Sequence, residues 1–255
     1  MSAAPGVAPL RSAWLGRVPY AEAWALQRRL AVARRERRVD DCVLLLEHPP
    51  VYTMGRNGRP EHLPGGPERL RALGAEYWDV DRGGSVTFHG PGQLVAYPVV
   101  LLAEVFPVAG SSELGDVLRY LRALEEACIA TAASVGVVAT RRPPYTGAWI
   151  GRRKLAAIGV KLAHGVTTHG LALNVTTDLA WFGEVVPCGI SDGGVCSLTS
   201  SGATGVDPEG LAPVAAEQLA TALGRRLERP DPALLGELGE GTVIEPIGAD
   251  VSLTV

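Results

Sequence analysis

The sequence predicts an α/β (α+β) chain, a single domain in which helices pack on a mixed sheet. Three observations predict it. Apolar residues make up 47% of 255, enough to bury one large core or two small ones. Short β-type runs broken by glycine are separated by three longer stretches of helical periodicity. There is no internal repeat and no interior linker, so one set of layers accounts for the whole chain.

The elements follow in order. Residues 1–14 begin with a small, Pro/Ala-rich dozen and are expected to be disordered, residues 15–229 form the folded domain, and residues 230–255 form a tail. "PYAEAWALQRRLAVARRERR" predicts a helix. Pro19 suits its first turn, Ala23, Leu26, Leu30 and Ala33 share one face, and arginines crowd the end where the dipole favours cations. "CVLLLEHPPVYTMG" predicts a buried strand halted by Pro49 and Pro50, and "AEYWDVDRGGSVTFHGPGQLVAYPVVLL" predicts short strands between glycine turns. "SSELGDVLRYLRALEEACIATAASVG" predicts a second amphipathic helix, with Leu114, Leu118, Leu121 and Cys128 as its apolar stripe, acids in its first turn and Gly136 near its end. "GAWIGRRKLAAIGVKLAHGVTTHGLALNV" predicts hairpin strands turning near Gly151 and Gly165. A third helix is expected from "DPEGLAP" to about Arg229, and the tail beyond it, with five acids and no Lys or Arg, is expected to be loose or disordered.

Composition removes several function classes. The net charge is −3, and nucleic-acid binding asks for a basic surface. No apolar run approaches the roughly 18 residues of a membrane helix. The N-terminus has no cationic segment followed by an apolar stretch, so it does not read as a secretory signal. A soluble cytoplasmic protein is the expectation. Four cysteines in 255 residues are too few for a disulfide scaffold, and Cys42 and Cys128 read as buried packing residues.

The chemistry concentrates in "VVPCGISDGGVCSLTS". A Cys188–Cys196 disulfide does not suit a reducing compartment. The spacing to His164 and His169 matches no zinc signature, so no metal is expected. Cys188 lies between Pro187 and Gly189, a turn that displays a side chain, whereas Cys196 is flanked by Val195 and Leu198 and reads as packing. A nucleophilic role for Cys188 needs a neighbour that lowers its pKa. Lys154 is a candidate, because only it and Lys161 are lysines among 24 basic residues, and a desolvated lysine can shed a proton where arginine cannot. Chance retention is the plain alternative. "RGGSVTFHGPGQLVAYP" surrounds His89 with glycines that let a ligand lie against backbone, in a spacing that fits neither a P-loop nor a dinucleotide fingerprint. "AAIG" and "HGLAL" leave room for an aliphatic chain. A lone His89 or His169 is equally readable as a structural histidine.

Taken together and in order, "EHPPVYTMGR", "RGGSVTFHGPGQLVAYP", "GRRKLAAIGVKL", "THGLALNV" and "VPCGISDGGVCSLTS" resemble the lipoyl(octanoyl) transferase family of lipoate biosynthesis, over roughly residues 15–228. The resemblance implies a fold similar to the catalytic domains of biotin and lipoate ligases, and no cofactor. It implies an octanoyl donor, acyl carrier protein, and lysine acceptors on the lipoyl domains of 2-oxoacid dehydrogenase E2 subunits and on the glycine cleavage H protein. Carried over residue by residue, it makes Cys188 the acyl-thioester site and Lys154 the group that lowers that thiol's pKa. It maps substrate contacts onto Arg82, Gly83, Gly84, Ser85, Val86, Thr87, Phe88 and His89, onto Ala157, Ile158 and Gly159, and onto Gly170, Leu171 and Ala172. Two rivals stand beside it. One is an ATP-dependent lipoate or biotin ligase, which needs no catalytic cysteine. The other is a non-catalytic module that binds acyl chains or carrier protein.

Overall fold

The computed structural model describes residues 7–111, 114–186 and 193–239. The chain opens with strand β1 (Pro9–Arg17), helix α1 (Tyr20–Arg35), β2 (Asp41–Glu47) and β3 (Val51–Met54). Next come α2 (Gly66–Ala72), β4 (Glu76–Asp79), β5 (Val86–His89), β6 (Gln93–Val99), the short α3 (Leu102–Val105) and α4 (Val117–Ala133). Then follow β7 (Thr140–Arg142), β8 (Tyr145–Ile150), β9 (Arg153–Ala163), β10 (Val166–Asn174), β11 (Gly194–Val195), α5 (Pro208–Ala222), β12 (Arg226–Glu228) and α6 (Pro232–Leu238).

Among the described residues, nine strands form one mixed sheet in the order β12-β1-β2-β6-β10-β9-β8-β7, with β11 added against β9. β1 runs parallel to β2 and β12, and the pairs from β2 to β7 are antiparallel. β2 shows why its apolar run is continuous. Val43 and Leu45 face the core under α4 and α5, while Cys42, Leu44 and Leu46 face the core under α1 and α6. A strand buried on both faces needs apolar side chains at every position. A smaller sheet, β4-β3-β5, stands apart with its own core.

The mixed-sheet, single-domain expectation holds, and so do the buried face of α1 and the hairpin turns at Gly151 and Gly165, both at positive φ. Five boundaries differ from expectation. β1 begins at Pro9, inside the stretch expected to be disordered, because Leu10 and Ala13 are wholly buried in the cores on the two faces of the sheet and the strand pairs with β2 and β12. Pro49 and Pro50 do not merely stop β2; they carry the chain into the second sheet as β3. α4 starts at Val117 behind an Asp116 cap, which leaves Leu114 and Leu118 exposed and turns Tyr120, Leu124 and Cys128 inward. α5 ends at Ala222, and Gly224 at positive φ redirects the chain into β12. In the expected tail, Asp231 caps α6, whose Leu234 and Leu238 are buried against α1.

A buried carboxylate ties the layers together. Asp41, 2% exposed, accepts from Arg34 of α1 at 2.7 Å, from Arg225 after α5 at 2.8 Å and from the Leu101 backbone at 3.0 Å. Removing one member of such a set strands buried charge. Asp41→Ala is therefore expected to cost about 3–5 kcal/mol, read from urea unfolding. A loss under about 1 kcal/mol, the worth of an exposed pair, would mean the arginines find solvent instead.

Candidate functional site

The site grows from an interruption in β9. On its inner side β9 pairs with β10 from Ala156 to Ala163, and β11 takes over at Arg153 and Lys154. On its outer side β8 pairs as far as Ala156. The next outer contact is a hydrogen bond from Gly83 N to Val160 O at 2.9 Å. Between them Ala157, Ile158 and Gly159 border a cavity of about 450 Å³.

The segment 82–85 that closes the far side is laced by backbone to the end of β3. Gly55, Arg56 and Asn57 donate to Ser85, Arg82 and Gly84 at 3.0–3.1 Å. Arg82 is 7% exposed, and its guanidinium donates to Thr53 O and Thr53 Oγ1 at 2.7 Å and to Gly83 O at 3.0 Å. Its side chain crosses Gly159, where a Cβ would lie 3.1 Å from Arg82 Cδ and 2.9 Å from Gly83 O. Only glycine allows this approach.

Lys154 stands at the other end. Its amine lies over the Trp149 ring, 5.1 Å from the centroid, and its Cε would be 3.0 Å from a Cβ on Gly147. Burial first, and the Arg82 charge second, pull the amine down from the usual lysine range to about 8. At neutral pH a measurable share of this lysine is therefore neutral.

Two histidines line the cavity in fixed neutral forms. Asn174 Nδ2 donates to the Cys196 carbonyl at 2.9 Å, so its Oδ1 accepts from Gln93 Nε2, also at 2.9 Å. Gln93 Oε1 then accepts from His89 Nδ1 at 2.8 Å, leaving Nε2 as an acceptor toward the Thr53 hydroxyl at 3.5 Å. Burial drives His89 well below the ordinary imidazole range. His169 donates from Nε2 to Asp81 at 2.9 Å, and burial lowers it to about 4 even against that carboxylate.

Of the expected contacts, Arg82, Gly83, Gly84, Ser85, Val86, Thr87, His89, Ala157, Ile158, Gly159, Gly170, Leu171 and Ala172 all line this cavity, together with Lys154. Phe88 does not: it is 1% exposed and stacks on Trp181 in the core of the small sheet. Cys188 lies outside the described residues. The described residues on either side of that stretch, Val185 and Gly194, line the cavity, and Val195 pairs with Lys154. Cys42, Cys128 and Cys196 are free and buried, and burial pushes each thiol up, Cys128 to about 12. Sequence reasoning did not single out Tyr20, Gln93, Tyr97 or Asn174, which also line the cavity. The signal for Gln93 was its place four residues after His89, across a Pro-Gly turn.

The chain belongs to the family of lipoyl protein ligase A/B catalytic domains, whose model matches residues 19–226. Within it, the chain is similar to proteins named octanoyltransferase. It is 51% identical to that of Rubrobacter xylanophilus over 185 residues, which is 72% of this chain and 79% of the relative. It is 47% identical to that of Thermobifida fusca over 197 residues, 73% and 78% of the two chains. Among solved structures, the fold is similar to the bipartite lipoate protein ligase of Thermoplasma acidophilum, with a TM-score of 0.66, 16% identity and 91% of each chain covered. It is also similar to LipL1 of P. falciparum in complex with lipoate, with a TM-score of 0.64, 10% identity and coverage of 90% and 70%.

Gly159→Ala tests the close approach at Arg82. The added methyl meets the Gly83 carbonyl and the Arg82 stem, so a stability loss of about 1–3 kcal/mol is expected. Unchanged urea unfolding would show that segment 82–85 yields freely.

Proposed function

We propose that this chain transfers an octanoyl group from octanoyl-acyl carrier protein to a lysine of lipoyl domains, through a thioester on Cys188, in cytoplasmic lipoate biosynthesis. The observation that carries this is a buried lysine of lowered pKa at one end of a cavity walled by Ala157, Ile158, Leu171 and Ala172. The octanoyltransferase relatives support the reaction class, and a family of lipoyl protein ligase catalytic domains supports lipoyl domains as acceptors.

In the first step the Cys188 thiolate attacks the donor carbonyl, the carrier's thiolate leaves, and it takes a proton that the Lys154 ammonium can supply. In the second step the acceptor amine attacks the Cys188 thioester. Neutral Lys154 takes the amine's proton, the amide forms, and the thiolate leaves beside the restored ammonium. A lysine titrating near 8 serves both directions of proton transfer, and efficiency is greatest when the pKa lies near the working pH. The first step exchanges one thioester for another, so neither step calls for ATP.

Incubation with octanoyl-acyl carrier protein and no ATP should add one octanoyl group to the intact chain, and a digest should place it on Cys188. Cys188→Ser should abolish it, and Cys196→Ser should retain it. Strict dependence on ATP with free octanoate as donor would move the chain to the ligase reading, and a modified Cys196 would overturn the assignment of the nucleophile.

Lys154→Arg separates charge from proton transfer. Because the pKa of Lys154 is depressed to about 8, its neutral fraction, and with it the second step, should rise with pH and level off above that value. Arginine keeps the charge and cannot lose the proton. Single-turnover transfer to the acceptor should fall about 10²–10⁴-fold and lose this rise, with acylation of Cys188 less affected because the carrier thiolate can depart first and take its proton from water. Near-normal transfer by the arginine variant would leave Lys154 as an electrostatic residue only.

A further inference from the structure

We infer that Arg82, together with Tyr20 on the same cavity wall, is the stop that sets the length of the acyl chain. The inference rests on the reading above, in which the acyl carbonyl sits beside the Lys154 amine. Gly147 lies against the Ala156 carbonyl, where a Cβ would be 2.4 Å from it, and the same Cβ would be 3.0 Å from Lys154 Cε. The lysine side chain therefore reaches to the level of Ala156 and Ala157 on β9. At the other end, the Gly83–Val160 hydrogen bond closes the gap. Arg82 crosses the strand one residue before that bond, at Gly159, so two to three residues of strand separate the lysine's level from the stop, or about 7–10 Å at the usual rise. An extended eight-carbon acyl chain spans about 9 Å from carbonyl carbon to methyl, given ordinary carbon–carbon bonds.

The stop is stiff and polar. Pushing past it would displace a guanidinium held by hydrogen bonds to Thr53 and Gly83 and wedged over Gly159. Tyr20, which lines the same cavity and acts electrostatically on Arg82, is 2% exposed, with its ring stacked on His89. Its hydroxyl and Arg82 Nε have no hydrogen-bond partner among the described residues. An apolar chain end driven among such groups offers them no hydrogen bond, so burying it there gains little. Nearer the lysine, every added methylene meets the small and aliphatic side chains of Ala157, Ile158, Leu171 and Ala172.

The test is the specificity constant for S-acyl-pantetheine donors from hexanoyl to dodecanoyl. The wild-type value should rise about fourfold per methylene up to octanoyl, the worth of burying one methylene, and then stop rising or fall. Tyr20→Leu, which removes the hydroxyl and replaces the ring on the cavity wall with a smaller side chain, should raise the decanoyl-to-octanoyl ratio about tenfold. A constant gain per methylene through dodecanoyl in the wild type would overturn the inference, and so would an unchanged ratio in a folded Tyr20→Leu. If that variant does not fold, the wild-type series alone decides. Absence of turnover with every donor would instead overturn the transferase reading, and the length stop with it.

Discussion

One hydrogen bond, from Gly83 N to Val160 O, determines most of what the cavity can do. β8 leaves the outer edge of β9 at Ala156, and without a second contact that edge would open into solvent. The bond restores the contact four residues later and brings Arg82 across Gly159. Alone it is worth about 1 kcal/mol. It acts as part of a set, because Gly55, Arg56 and Asn57 hold the same short segment by backbone. The residues that close the cavity are thus fixed from two sheets at once.

The same arrangement explains the electrostatics. Arg82 sits in the interior with a hydroxyl and two carbonyls as its hydrogen-bond partners, so its charge is solvated but not neutralised. A second cation in that space is unfavourable, and arginine cannot relieve it by losing a proton. The adjustment falls on Lys154, which is lowered both by burial and by Arg82. This gives the lysine a reason to be a lysine, which its rarity alone suggested without establishing. Arg82 also sits where the acyl chain must end. One buried cation thereby tunes the proton-transfer group and limits the substrate.

The chain's periodicity revealed much of the scaffold. β2 was legible because burial on both faces demands an unbroken apolar run, and α1 because its apolar spacing is strict. The start of α4 is not legible in the apolar stripe that begins with Leu114 and Leu118, because the Asp116 cap delays the helix and leaves both exposed. α6 was hidden because two leucines in an acidic, Pro/Gly-containing stretch fold only against α1, a tertiary effect. In the site, the glycine motifs and Lys154 were legible as local patterns. Gln93 and Asn174 were not, since their link across β6 and β10 depends on the register Gln93↔Asn174, which no local window contains. Phe88 was carried into the contact set by its neighbours, although its side chain belongs to the core of the second sheet.

The lysine count offers a direct experiment. With Lys154 and Lys161 the only lysines, labelling lysine side-chain nitrogen gives two amine resonances to follow by NMR as pH changes, and Lys154→Met assigns them. The account expects the Lys154 resonance to titrate near pH 8. A midpoint in the ordinary lysine range, about 10.4, would contradict it.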